Sequence, residues 1–250
     1  LGRRPNWGNA IDGILVIDKD TGCVSSTVTR QLKKHLFANR VGHIGTLDPF
    51  ATGVLPICFG RACKTIATLE QKHKTYIATV QFGSETDSCD HTGKVVKTSD
   101  YRHISQKQIL QTIPQFIGTI WQTPPIYSAI KVGGKPMYQY ARRGQAVTAR
   151  PRQVTVEAIT LLQADNLPHQ ATFEVVCQRG TYIRSLFRDL ARSLNSSGHL
   201  TALRRTASSG FDVNSSEVMK LDEVLALTQE QARQKLGTIE TTDEHGLIDN

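Results

Sequence analysis

The chain has 250 residues, 39% hydrophobic and 21% charged, an ordinary balance for a globular protein with enough length for one large domain or two small ones. No apolar run reaches a membrane span and no basic-then-apolar leader opens the chain, which reads as cytoplasmic; five cysteines without a C-x-x-C pair support neither a disulfide framework nor a cysteine zinc site. The net charge of +8 is uneven: residues 217–250 hold eight acidic and three basic side chains, leaving 27 basic against 14 acidic before them, a field that favours a polyanionic partner.

In chain order, residues 13–17 (GILVI) predict a short apolar strand, and Ser25, Ser26 and Thr27 offer caps for a helix running to about Leu36. Residues 61–70 predict a second helix. Residues 76–82 alternate Tyr, Ala, Val and Phe against Ile, Thr and Gln, as a strand well buried on both faces does. Ser105 with Gln108 matches a capping box, opening a helix that Pro114 ends or kinks. Further strands are expected near residues 117–121, 154–161 and 171–177. Residues 182–194 form the clearest helix: Ile183, Leu186, Phe187, Leu190 and Leu194 share one face, and Arg184, Arg188 and Arg192 fall on another. For Arg188 and Arg192 that second face reads as solvated. The irregular interleaving of strands and helices predicts an α+β fold with a mixed, largely antiparallel sheet flanked by helices. After about residue 229 the chain is polar and acidic, and reads as a frayed helix or disorder.

Two segments carry chemistry. Residues 42–64 (GHIGTLDPFATGVLPICFGRACK) place one carboxylate, Asp48, among glycines. Pro49 biases Asp48 toward extended backbone, while Gly42, Gly45 and Gly53 tolerate positive φ or close approach. Such a loop can hold a carboxylate rigidly against a large substrate, and on local chemistry alone it reads equally as a surface bend started by Asp-Pro. From residue 126 to 156 there is no acidic residue, while Lys131, Lys135, Arg142, Arg143, Arg150 and Arg152 interleave with Tyr127, Tyr138 and Tyr140. Cations that track phosphates beside aromatic stacking surfaces suit RNA; the plain alternative is a solvated basic hairpin or helix. Gly133-Gly134-Lys135 is no phosphate loop, because Ala129 and Pro136 stand where glycine and a hydroxyl residue are needed, and residues 87–93 lack the EF-hand carboxylates. No cofactor and no metal are expected.

The first segment resembles the TruB family of tRNA pseudouridine synthases, whose signature G-H-x-G-x-L-D-P-x-A-x-G-x-L-P it matches at Gly42, His43, Gly45, Leu47, Asp48, Pro49, Ala51, Gly53, Leu55 and Pro56. Similar segments follow in order: Lys74-Thr75-Tyr76, Thr86-Asp87 with Asp90 and Gly93, residues 127–131 (YSAIK), residues 180–184 (GTYIR) and Leu203-Arg204-Arg205. The resemblance implies a pseudouridine synthase fold over residues 1–228, with an RNA-gripping insertion at about 126–152. Residues 229–250 would then be an acidic tail in place of a complete C-terminal PUA domain.

It implies that Asp48 is the catalytic residue, that Arg184 orients it and keeps it ionised, and that Tyr76 stacks on the target base. Tyr182 and Leu203 would contact substrate and His43 would contact the RNA. The implied reaction isomerises uridine to pseudouridine at position 55, in the TΨC stem-loop of tRNA, with the base flipped out and no obligatory protein partner. Asp48 could attack C1′ or take the 2′ proton; both routes stand open. The rival from another class is a non-catalytic tRNA-binding or folding chaperone on the same scaffold. Asp20 stands where the family usually has proline.

Overall fold

The computed structural model describes residues 8–145 and 147–237; of the acidic tail, residues 238–250 lie outside the described residues. The elements in chain order are β1 (Gly13–Lys19), α1 (Ser25–His35), β2 (Val41–His43), β3 (Thr52–Phe59), a 3-10 turn (Gly60–Lys64) and α2 (Ile66–Leu69). β4 (Lys74–Phe82), β5 (Ser84–Thr86), β6 (Val95–Thr98), α3 (Gln106–Thr112) and β7 (Gly118–Gln122) follow. The basic segment folds as a hairpin of β8 (Lys131–Val132) and β9 (Lys135–Pro136) with α4 (Met137–Ala141). The chain continues through β10 (Arg152–Gln163), β11 (Gln170–Cys177), α5 (Ile183–Ser193), β12 (Gly198–Ser208), β13 (Phe211–Asp212), β14 (Val218–Lys220), α6 (Leu221–Ala226) and α7 (Gln229–Gln234).

The main sheet runs β14-β1-β3-β12-β4-β11-β10-β7, with β2 paired to β3 and β13 to β12. Among the strand pairs of the described residues only β1–β14 and β3–β12 are parallel, so the α+β, mostly antiparallel expectation holds. β12 is the hinge of this topology. It pairs β4 along most of its length and β3 through Arg204 and Arg205, which brings the end of the signature loop beside Tyr76.

Burial follows the expected periods, with four corrections. On β4, Tyr76, Ala78, Val80 and Phe82 are buried but Ile77, Thr79 and Gln81 are only half-buried, so one face carries the core. The helix expected over 61–70 divides into the 3-10 turn and the short α2; the Thr65 hydroxyl bonds back to the Ala62 carbonyl where a helical backbone bond would run on. Ser25 does not cap α1. The N-cap is Val24, without a side-chain bond, because the Ser25 hydroxyl is taken by the signature loop. Arg188, read as solvated, is buried, for reasons given below.

Ser105 and Gln108 do form the capping box, and a 3-10 turn over residues 113–116 takes up Pro114. α5 packs Ile183, Leu186, Phe187 and Leu190 onto the sheet, with Phe187 4.8 Å from Phe173 between ring centroids. Each such side chain contributes about 1.5–3 kcal/mol of burial. That apolar face fixes the N-terminus of α5 over β4 and β12. Arg184, in its first turn, therefore points at the signature loop rather than at water.

Candidate active site

The Asp48 loop is held from both ends. Lys19, 1% exposed at the end of β1, donates from Nζ to the carbonyls of Asp20 and Cys23 (2.9 Å each) and Pro49 (3.3 Å). The buried Ser25 hydroxyl donates to the Leu47 carbonyl and accepts the Leu47 N–H, both at 3.0 Å. One side chain thus satisfies both backbone groups of the residue before Asp48, groups that burial would otherwise leave unpaired. Gly45 turns at φ 63°, and a Cβ there would meet Arg205 Nη1 at 3.0 Å. Arg205, wholly buried, donates to the carbonyls of Val54 (2.8 Å) and Gly45 (2.9 Å) and so clamps both limbs of the loop. Asp20, in the proline position of the family pattern, pairs its carboxylate with Lys220 Nζ at 2.7 Å.

Arg184 then meets Asp48 as a fork. Nε lies 2.8 Å from Oδ2 and Nη2 2.9 Å from Oδ1, while Nη1 donates to the Ser88 carbonyl (2.8 Å) and Nη2 to the Tyr127 carbonyl (2.9 Å). Asp90 completes the shell, with Oδ2 3.4 Å from Nη1. The guanidinium is thereby satisfied in a dry setting, its side chain 4% exposed, while 32% of the Asp48 side chain stays open. A fixed carboxylate with one accessible side is the geometry a reacting group needs. Burial pushes the Asp48 carboxyl above its ordinary value, and the Arg184 charge beside it pulls the other way. If Asp48 is the reacting group, protonation on lowering the pH removes its reactive form. The acid limb of a single-turnover rate profile is therefore expected above the ordinary carboxylate range of about 4. A limb at or below that value would show Asp48 unshifted.

Tyr76 lies buried on β4 beside Arg205, and burial pushes its phenol up to about 12. It stays a neutral phenol at physiological pH. Leu203 is buried on the neighbouring strand, paired in register with Ala78. Tyr182, half-buried, is the N-cap residue of α5; its N–H goes to Gln122 Oε1 (2.8 Å) and its carbonyl accepts from Gln122 Nε2 (3.1 Å). His43 is held between Thr29 Oγ1 at Nδ1 and Thr46 Oγ1 at Nε2, each 3.1 Å, and burial lowers its pKa, which keeps the ring neutral.

Asp48 and Arg184 are thus in contact, and Tyr76 and Leu203 lie on the adjoining strands. Of the basic residues, Lys131, Lys135, Arg142, Arg143 and Arg150 are exposed, and Arg152, half-exposed, pairs in register with Gln122, the residue that holds Tyr182. A cavity of about 220 Å³ in their hairpin is lined by Lys135, Gln139, Tyr140, Arg143 and Gln145. The Tyr127 carbonyl ties the root of this segment to Arg184.

Sequence reasoning missed the anchoring by Lys19 and Ser25, whose only signal was their closeness to family-like segments. It also misread the arginine face of α5. Arg188 is buried because it donates to Asp189 (2.8 Å), the Thr123 carbonyl (3.2 Å) and Cys89 Sγ (3.8 Å). Arg192 is exposed, as expected, yet makes a two-point pair with Glu85. Among the described residues no group of three or more His, Cys, Asp or Glu is placed to hold a metal ion, and no helix is long and apolar enough to cross a membrane.

The chain aligns over 90% of its length with a Cbf5-Nop10-Gar1 complex, at a TM-score of 0.66 and 27% identity, covering 60% of that solved chain. Residues 33–183 match the TruB family pseudouridylate synthase N-terminal domain, and the chain belongs to that family. Among curated relatives, tRNA pseudouridine synthase B of Bordetella pertussis is 44% identical over 209 residues, 83% of this chain and 85% of the relative. The enzymes of that name from Bordetella avium (42%; 90% and 91% covered) and Saccharophagus degradans (42%; 86% and 69% covered) are similar.

Proposed function

We propose that this enzyme isomerises uridine to pseudouridine in tRNA, at position 55 of the TΨC loop, with Asp48 as the catalytic residue. The observation that carries the reading is the Asp48–Arg184 fork: a carboxylate fixed by a satisfied, buried guanidinium and left open on one side. The relatives named tRNA pseudouridine synthase B support tRNA as the substrate.

The reaction breaks the bond between C1′ and N1, turns the freed base, joins C5 to C1′, removes the C5 proton and leaves a proton on N1. Asp48 opens the sequence, either by attacking C1′ or by taking the 2′ proton. Both routes need an ionised carboxylate and an extruded nucleotide, because the glycosidic carbon is out of reach while the base is stacked. Tyr76 packs on the extruded base as a neutral phenol, with Leu203 and Tyr182 bounding the same space. His43, neutral and fixed by two threonines, contacts the RNA beside the vacated stack. Release of tritium from tRNA labelled at uridine C5 tests the reaction directly. One equivalent per tRNA supports the reading, and none at saturating enzyme refutes it.

The 126–152 segment supplies phosphate contacts. Lys131 and Lys135 lie on its hairpin and Arg142 and Arg143 just past α4, all exposed, the segment is tied to the site through Tyr127, and Arg142 stacks over the Tyr138 ring at 5.4 Å. Changing Arg142 and Arg143 to alanine is expected to weaken tRNA binding and flatten the log-log salt slope by up to about 2 units, at roughly 0.7 to 0.9 per phosphate. Titrations at several salt concentrations read both quantities. An unchanged slope with unchanged affinity would make this surface merely solvated.

A further inference from the structure

Between Asp20 and Asp48 the chain has no acidic residue, while Arg30, Lys33, Lys34 and Arg40 fall in that interval. α1 sorts them by face: Val28 and Leu32 are buried in the core, and Arg30, Lys33 and Lys34 are exposed, as is Arg40 ahead of β2. Among the described residues Arg184, Arg188, Arg192 and Arg204 each pair with a carboxylate, and none of these four cations does. Part of the pattern has a local explanation, since Lys33 and Lys34 sit in the last turn of α1, where the helix dipole favours positive charge. Arg30 in mid-helix reaches only the Thr27 hydroxyl, at 3.4 Å, and Arg40 beyond the helix end lies by the Cys63 thiol; neither has a carboxylate partner among the described residues.

The surface is continuous with the reacting loop. Thr29, next to Arg30 and one helical turn before Lys33, holds His43 Nδ1 at 3.1 Å, and Ser25 of the same helix holds Leu47. The loop of Asp48 is thus held by α1 through His43 and Leu47, while Asp48 itself is held by Arg184, whose bond to Tyr127 leads into the 126–152 segment. The face ends at Phe37, which is 54% exposed and has φ 49°, in the left-handed region where asparagine or glycine fits and phenylalanine is strained. An exposed aromatic in a strained backbone between Lys34 and Arg40 has a free ring face of the kind unpaired bases stack on.

We infer that the outer face of α1, with Arg40 and Phe37, is a second RNA-binding surface, separate in the chain from the 126–152 segment: its cations bind substrate phosphates, and Phe37 stacks on a base. The inference rests on the RNA-modifying function proposed above. It is tested by titrating unmodified tRNA transcript onto the full chain and onto a variant with Arg30, Lys33 and Lys34 all changed to alanine. Affinity is expected to fall by about tenfold or more, and the salt slope to flatten by up to about 2 to 3 units. Phe37→Asn, whose side chain suits the left-handed backbone, is expected to lose about fivefold or more in affinity with the slope unchanged. Circular dichroism melting establishes that both variants are folded. Wild-type affinity and slope in the triple variant would overturn the phosphate surface, as would lost affinity without a change in slope. Wild-type affinity in Phe37→Asn would remove the stacking role. If the wild-type protein binds tRNA but forms no pseudouridine, the proposed function fails while the slope comparison still decides this surface.

Discussion

Asp48→Asn is expected to abolish pseudouridine formation, by about 10⁴-fold or more, because an amide neither attacks C1′ nor takes a proton from C2′. The fold should survive. The amide keeps the side chain's shape, and burial already disfavours the ionised carboxyl at this position, so a neutral substitute is tolerated. Arg184 keeps the Ser88 and Tyr127 carbonyls and Asp90 as partners. The expected cost in stability is about 1–3 kcal/mol, that of one charged hydrogen-bonding partner partly open to water. Thermal melting, tRNA titration and single-turnover kinetics on one preparation separate the effects. A folded Asp48→Asn protein that binds tRNA and is inactive fits the account, and one with wild-type turnover refutes it.

Arg184→Ala is expected to lose both catalysis and stability. Its side chain is 4% exposed, and removing it leaves Asp48 and Asp90 without their shared cation and two carbonyls without a donor. Breaking a buried pair of this kind costs about 3–5 kcal/mol. Loss of orientation and of the ionised state should slow turnover by about 100-fold or more. Arg184→Lys separates charge from geometry: it restores a cation but cannot grip both carboxylate oxygens in one plane. It should recover stability better than rate. An Arg184→Ala enzyme within a few-fold of wild-type rate would show that the fork does not prepare Asp48 for reaction.

Five strands (β1, β4, β7, β10 and β11) and the two long helices were legible in the sequence, α5 through the spacing of Ile183, Leu186, Phe187 and Leu190, whereas β3 and β12, at the centre of the sheet, were not read as strands. What failed depended on partners distant in the chain. Arg188 reads as a surface residue until Thr123 and Cys89 are brought to it, and Ser25 reads as a cap until Leu47 claims its hydroxyl. Residues 61–70 divide at Thr65, whose hydroxyl bonds back to the Ala62 carbonyl between the 3-10 turn and α2. The site shows the same division. Asp48, Arg184 and Tyr76 were readable by resemblance. That Arg184 also holds Ser88, Asp90 and Tyr127 follows only from the sheet order that lays β12 between β3 and β4.

The most direct test of the central claim is to incubate the chain with unmodified tRNA transcript, map pseudouridine nucleotide by nucleotide, and run Asp48→Asn beside it. The account predicts modification at position 55 of the TΨC loop by the wild-type protein and none by the variant. Modification confined to other positions, or equal modification by both proteins, would contradict it.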